Sequence, residues 1–557
     1  MRRPQQLWFL VALVPYFLLA TTTVREVGVV GEVSPGWRAG PPINVRIDIS
    51  TPPPESVLGP LHARQTRPIE RLVLGPLELP LAINSYTGAM VDWPARVVHA
   101  ITGRWSVVQA FHQLLGAGLL AGLFTFVRRH VGTSAAVAAA LVLATRWDFV
   151  FYRAVLGGTE VALVGATLAV VWALWSRRWR GNPHGLVAIA LGVGIGMHAK
   201  LTFGVVAVAI ALSATLLRRD RPPMGPPAGG SKKWALVALA VPLLPLVVAN
   251  LHQPRVPGPR IHSHDHVHLQ LDRVLGALQG SKAPTRESLG NIVAWLGDPL
   301  GFLGRAYGVA DVPDAPWALV GLGWLVVGAG VFTVWRRRHP TPRDALLRFG
   351  SVLLPIGVFG LLVVARDLHH MATLSIVVAL VAGLAADQVA GWRYPLRSWR
   401  RVLAAIVFVS PWVVTGTSQL VQTDPLVRQI PVPTFRTDGQ HALAALVAPV
   451  PRVWVSDYES MGALELRLAE LGATTEVIHV WGAASRRATG LDSFHTQLLQ
   501  AAVGDHLLVV EASAPMIYNL RSRGRALERA ATEAGVRLVE EGRLDRDEAV
   551  LYRVEAQ

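Results

Sequence analysis

The sequence predicts an α-helical polytopic membrane protein of about eleven transmembrane helices, followed by a C-terminal α/β soluble domain. Three observations predict it. Apolar runs of near-spanning length recur through residues 1–420. Arginine clusters follow every second run. Beyond about Val421 the pattern changes to short apolar runs alternating with amphipathic helical stretches.

Composition supports this class. Of 557 residues, 52% are hydrophobic and 16% are charged, whereas soluble domains carry about 25% charged residues. Mean hydropathy is +0.39. The formal charge is +16, from 53 Lys and Arg against 37 Asp and Glu. Such an excess can mark a nucleic-acid binder. Here the basic residues cluster at the ends of apolar runs, where they set membrane topology, so no nucleic-acid partner is expected. The chain has no cysteine. That excludes disulfides, thiolate-bound zinc and a cysteine nucleophile.

Taken in order, Arg2 and Arg3 precede an apolar run from Leu7 to Ala20. It reads as a first spanning helix, with a cleaved signal peptide as the alternative. Further runs lie near Val107–Val127, Ser134–Tyr152, Thr159–Trp175, Gly185–Met197, Phe203–Leu217, Trp234–Leu251, Trp317–Trp335, Phe349–Ala365, Thr373–Ala390 and Val402–Leu420. The basic clusters are Arg128-Arg129, Arg177 to Arg180, Arg218 to Arg221, Arg336 to Arg338, and Arg393 to Arg401. By the positive-inside rule they face the cytoplasm. The N-terminus is then inside, the C-terminus is extracytoplasmic, and Arg221–Gly230 is an inner linker. This topology fits a multi-pass protein of the inner (plasma) membrane, in contact with its lipids.

The expected domains are residues 1–420, with outer loops 22–106 and 252–315, and an extracytoplasmic domain over 435–557. In the latter, Val453–Ser456 and His506–Glu511 suit buried parallel strands and Ala549–Val554 a last strand. Helical patterns lie at Met461–Leu471, Phe494–Ala502 and Arg525–Ala534. No glycine-rich phosphate loop follows these strands, so no nucleotide is assigned. No two-half repeat is visible, which argues against a transporter, the least favoured reading.

Candidate functional residues concentrate at the predicted outer face, because long loops on a rigid scaffold carry function. The first loop offers the carboxylates Glu26, Glu32, Asp48, Glu55, Glu70, Glu78 and Asp92. In the second, His262-Ser263-His264-Asp265-His266-Val267-His268 alternates. If extended, it sets four imidazoles on one face, a spacing that fits a divalent transition metal. The other reading of that run is a polar loop with adventitious affinity. No other cofactor is indicated. Lys200 ends an apolar run, and Arg366, His369 and His370 open another. Charges at that depth face a cavity or a partner, or snorkel to the interface.

Several segments together resemble a known family. They are Ile83-Asn84-Ser85-Tyr86-Thr87-Gly88-Ala89, continuing through Trp93-Pro94 to Ile101-Thr102-Gly103, then Gly132–Thr145, Phe149-Val150-Phe151-Tyr152-Arg153, Gly196–Phe203 and His369-His370-Met371. Their order over residues 1–420 resembles the dolichyl-phosphate-mannose protein mannosyltransferase-like family of the glycosyltransferase-C superfamily. The resemblance implies a glycosyltransferase-C like fold and an inverting membrane glycosyltransferase that moves a sugar from a polyprenyl-phosphate donor. The acceptor would be a glycan, lipid or protein on the extracytoplasmic face. It also implies a catalytic acidic pair soon after the first span. The matching place reads Gly31-Glu32, so Glu32 ranks first as catalytic residue and Asp48 second. Glu160 is the carboxylate nearest the family's acidic position between the third and fourth spans. Lys200, Arg366, His369 and His370 are the candidates for substrate phosphate. Because the acidic pair is incomplete, the alternative is a catalytically degenerate relative that binds or assembles.

Overall fold

The computed structural model describes residues 4–25, 43–47, 71–74, 77–84, 87–180, 182, 184–217, 231–251, 286–307, 309, 311–364, 368–395, 398–430, 436–455, 463–482, 496, 498–510, 524–544 and 549–557. The helical part begins with α1 (Pro4–Thr22), α2 (Trp93–Thr102), α3 (Trp105–His130), α4 (Thr133–Thr145) and α5 (Trp147–Leu156). It continues with α6 (Gly158–Arg180), α7 (Gly185–Ala199), α8 (Phe203–Leu216) and α9 (Ser231–Leu251). Beyond these lie α10 (Arg286–Gly297), α11 (Pro299–Tyr307), α12 (Trp317–Trp335) and α13 (Pro342–Val364). The last group is α14 (Leu368–Met371), α15 (Ser375–Ala390), α16 (Trp399–Val421) and α17 (Thr423–Gln429).

Among the described residues, six helices are long and apolar enough to cross a membrane, and the bent pair α4–α5 makes a seventh candidate. Apolar parts of α1, α7 and α8 are shorter. The sequence expects one straight span over Ser134–Tyr152, but α4 and α5 meet at a 50° bend. Arg146 sits at the break with an extended backbone, φ −72° and ψ 123°. Its guanidinium pairs with Asp148 at 2.7 Å. A buried ion pair near the middle of an apolar run needs partners from other elements, and the bend brings them within reach.

The bundle is centred on α4 and α15. Every residue of α15 is buried, and so is every residue of α4 from Ser134 onward. Both are rich in Ala and Val, and small residues let backbones approach closely where lipid gives helices no hydrophobic incentive to associate. Gly383 on α15 illustrates the approach: a β-carbon there would lie 2.6 Å from the Ala139 Cα on α4. The outward faces of α1, α9, α12 and α16 instead expose large apolar side chains such as Leu18, Leu236, Leu325 and Val407. That is the inverse of a soluble protein's surface and suits lipid contact.

Polar side chains mark the two ends of the bundle. At one end Asp387 (α15) takes Ser134 (α4), Arg343 (α13) and Arg401 (α16), the last at 2.6 Å. The arginine clusters Arg128-Arg129 and Arg336 to Arg338 close helices at this end. The opposite end carries the first loop, α10, α11 and the C-terminal domain.

That domain adds α18 (Thr437–Val447), α19 (Ala463–Glu470) and α20 (Gly524–Ala534) to a six-stranded sheet of order β1-β7-β6-β8-β10-β9. β6 (Arg452–Val455), β7 (Glu476–Gly482) and β8 (His506–Val510) run parallel. β10 (Ala549–Ala556) lies antiparallel between β8 and β9 (Val536–Arg543). The sixth strand, β1 (Ile43–Ile47), comes from the first loop and pairs in parallel with β7, Ile43 opposite Ile478. The first loop also forms two small antiparallel ladders. In one, β2 (Arg71–Leu74) pairs with β3 (Leu77–Pro80); in the other, β4 (Ala82–Asn84) pairs with β5 (Thr87–Gly88).

Candidate functional site

The site is built around a short 3-10 turn, Met90–Asp92, that leads into α2. Pro94 near the start of α2 pre-sets helical φ, and Gly103 ends it in the left-handed region at φ 63°. The turn clamps two helices at once. The Met90 amide donates to His198 Nε2 near the end of α7, at 3.2 Å. Asp92 Oδ1 accepts from the Gly158 amide at the start of α6, at 3.0 Å. An amide donor at a helix N-terminus lacks an intrahelical partner, so a carboxylate from another segment satisfies it. Gly88, in the Tyr-Thr-Gly-Ala stretch, packs on the His198 ring: a β-carbon there would lie 2.6 Å from Nδ1.

This clamp fixes the neighbours of two charged side chains. Glu160 lies in the first turn of α6, and Lys200 follows α7 directly. Both are buried, at 1% and 2% exposure. The two are electrostatically coupled to each other, and Glu160 also to Asp148. Neither Glu160 oxygen has a hydrogen-bond partner among the described residues. An ionised carboxylate is costly to bury unless a cation balances it. Two residues past Lys200, Thr202 Oγ1 lies 3.4 Å from His370 Nδ1, and both residues are buried. His370 therefore lies against the turn that follows Lys200, and Glu160 is within electrostatic range of Lys200.

A second cluster adjoins through Asp148. Its Oδ2 accepts from Trp295 Nε1 of α10 at 2.6 Å. Arg146 lies over the Trp295 ring, 4.7 Å from its centroid. A cavity of 30 Å³ opens beside them, lined also by Gln419 and Thr415. That is room for about one water molecule. Arg153 stands 5.3 Å over the Tyr16 ring, and Tyr16 donates to the Gln113 carbonyl at 3.0 Å.

Outside the spans, burial pushes the Asp92 carboxyl up to about 7, against the Gly158 hydrogen bond and the nearby Arg96 guanidinium, which both lower it. Its Oδ2 has no partner among the described residues. The carboxyl therefore titrates near neutrality.

Of the residues singled out from sequence, Lys200 and His370 are both buried, and Thr202, two residues past Lys200, lies against His370. The backbone of His369 lies in α14. Glu32, Asp48, Arg366, His262, His264, His266 and His268 lie outside the described residues. Among the described residues no group of three His, Asp or Glu side chains could hold a metal ion. Sequence reasoning named Glu160 without placing it in the site, and it passed over Asp148 and Arg146. Their signal was present: an acid and a base one residue apart near the end of an Ala-rich apolar run.

Residues 87–247 match the family described as dolichyl-phosphate-mannose-protein mannosyltransferase. Among solved structures the chain resembles ArnT from Cupriavidus metallidurans bound to undecaprenyl phosphate, with 14% identity and a TM-score of 0.52, over 98% of this chain and 97% of that one. It also matches the apo oligosaccharyltransferase of Archaeoglobus fulgidus, with 13% identity and a TM-score of 0.48, over 90% of this chain and 69% of that one. No curated protein matches the sequence significantly. The segment that matches the mannosyltransferase family, residues 87–247, holds the Met90–Asp92 clamp, Asp148, Glu160 and Lys200, and the chain as a whole shares the fold of the ArnT structure.

Proposed function

We propose that this protein transfers a sugar from a polyprenyl-phosphate donor to a glycan, lipid or protein acceptor at the extracytoplasmic face of the plasma membrane. The carrying observation is the burial of two opposite charges, Glu160 and Lys200, within electrostatic range of each other, with Thr202, two residues past Lys200, against His370. Intramembrane ionisable groups are functional by default, because their burial is otherwise unfavourable. The undecaprenyl phosphate bound to ArnT supports a lipid-linked donor for a chain of the same fold.

In this reading the acceptor hydroxyl oxygen attacks the anomeric carbon while the bond from that carbon to the phosphate oxygen breaks. The leaving polyprenyl phosphate keeps the electron pair. Lys200 and His370, with Arg366 and His369 as further candidates, stabilise the charge that develops on it. A carboxylate takes the hydroxyl proton. Glu32 is the first candidate for that base and Asp48 the second. Glu160, within electrostatic range of Lys200, balances its charge until the donor phosphate arrives. A binding or assembly role is the second reading, supported by Gly31 standing where the family has the first acid of its pair.

The test is turnover of polyprenyl-phosphate-linked sugars by purified protein in nanodiscs. Lys200→Met and Glu32→Gln should each lower turnover by at least about 100-fold, the lower bound for a lost acid–base or charge-stabilising group, with expression unchanged. An active protein indifferent to Lys200→Met, Glu160→Gln and His370→Ala sinks the site assignment. If Asp48→Asn abolishes turnover while Glu32→Gln does not, the base is Asp48. Absence of turnover with every lipid-linked donor favours the binding role.

A further inference from the structure

Away from the Glu160–Lys200 site, an open cavity of 390 Å³ lies where the helical bundle meets the C-terminal domain. Its walls come from four places in the chain. Arg25 follows α1, and Gly103 to Ser106 join α2 to α3, bringing Arg104 and Trp105. Thr437 and His441 come from α18, and Arg467 and Glu470 from α19. Three arginines and one glutamate therefore line it. That carboxylate is already engaged: Glu470 Oε2 accepts from Arg467 Nη1 at 2.7 Å.

Arg467 is 4% exposed, yet its Nε has no hydrogen-bond acceptor among the described residues. A buried guanidinium donor without an acceptor is unfavourable in a finished structure, and an incoming oxyanion removes the deficit. The planar fork of arginine suits phosphate oxygens in particular. The backbone around the cavity is firmly set. The Arg25 amide donates to Asp424 Oδ2 at 3.2 Å, and Thr437 Oγ1 donates to the Arg25 carbonyl at 3.3 Å. Position selects among phosphate sources. Arg25 and Arg104 stand at the end of α1 and the start of α3, the level at which a bilayer places its headgroups.

We infer that this cavity is a phosphate site shared by the two domains, and that it takes the headgroup phosphate of an anionic membrane lipid between Arg25, Arg104 and Arg467. The bound phosphate joins the loop that opens α3 to α19 and so seats the C-terminal domain on the membrane surface. It competes with Glu470 for the Arg467 guanidinium, which gives the site a predicted sign: removing the Glu470 charge tightens binding.

The experiment uses the full chain in mixed phosphatidylglycerol–phosphatidylcholine nanodiscs, extracted into mild detergent, with retained lipid read by native mass spectrometry. The wild type is expected to retain phosphatidylglycerol over phosphatidylcholine. Arg25→Gln and Arg104→Gln should each weaken that retention about tenfold, the scale of one lost charged hydrogen bond, and Glu470→Gln should strengthen it. The gain expected from Glu470→Gln separates loss of the site from loss of folding. Displacement of the lipid by inorganic phosphate upholds the site with the phosphate group alone as its ligand. Resistance to inorganic phosphate upholds it with the intact headgroup as its ligand. Equal retention of the two lipids, or retention unchanged by all three substitutions, overturns the inference.

Discussion

At the scale of single residues, Asp92 is a surface-loop carboxylate in sequence and a buried clamp in the fold. Its carboxyl is pushed up to about 7 by burial, so it holds its proton more tightly folded than unfolded. The stability it contributes is fully present below about pH 4, the ordinary carboxylate value, and is lost as pH rises through about 7. Thermal melts in detergent should show stability falling across that window by on the order of 4 kcal/mol from this group. Asp92→Asn, which still accepts from the Gly158 amide, should flatten that slope. An unchanged slope would show that the turn is not buried as described. Glu160 and Lys200 show the same contrast between sequence and fold. Each is legible as an ionisable residue beside an apolar run, but nothing in the sequence relates them, because Glu160 opens α6 and Lys200 follows α7, and only the side-by-side packing of these helices brings the two charges near each other.

Among elements, the arginine-rich end of the bundle is held by a charged knot. Asp387 takes two guanidiniums and a hydroxyl from three other helices. Beside it, Asp344 accepts from Arg337 at 2.7 Å and from Gln388 at 2.6 Å. Removing one partner of a buried pair leaves the others uncompensated, at a cost of about 3–5 kcal/mol. Asp387→Ala should therefore destabilise the protein by about that amount in detergent melts, while Asp387→Asn, which keeps the hydroxyl and part of the guanidinium contacts, should cost less. Equal melting of wild type and Asp387→Ala would mean that helix packing alone holds this end. The sequence counts Arg337 and Arg401 as topology signals. Their second role, in tying α4, α13, α15 and α16 together, depends on the helices being adjacent.

For the whole molecule, the spans place the arginine clusters at one end and the large loops at the other. The positive-inside rule predicts that the residue after α8 lies in the cytoplasm and the C-terminus outside. Reporter fusions after Leu217 and after Gln557 should report opposite compartments, and the same compartment for both would break the eleven-span order. The parallel pairing of β1 with β7 belongs to this scale as well. A loop strand far upstream extends the C-terminal sheet, so part of the first loop and the tail share one sheet.

The sequence by itself determined the membrane class, the alternation of helix ends and the short strands of the tail. It could do so because hydropathy, basic flanks and strand patterning are local properties read within one span or one strand. The motif around Tyr86-Thr87-Gly88-Ala89 was legible as a family signature, but its physical reason, the His198 ring packed on Gly88, was not. Only the tertiary structure decided that Asp92 caps α6, that Glu160 is buried within electrostatic range of Lys200, and that β1 joins the C-terminal sheet. These depend on contacts between distant segments, and a single sequence carries no periodicity that ties one such segment to another.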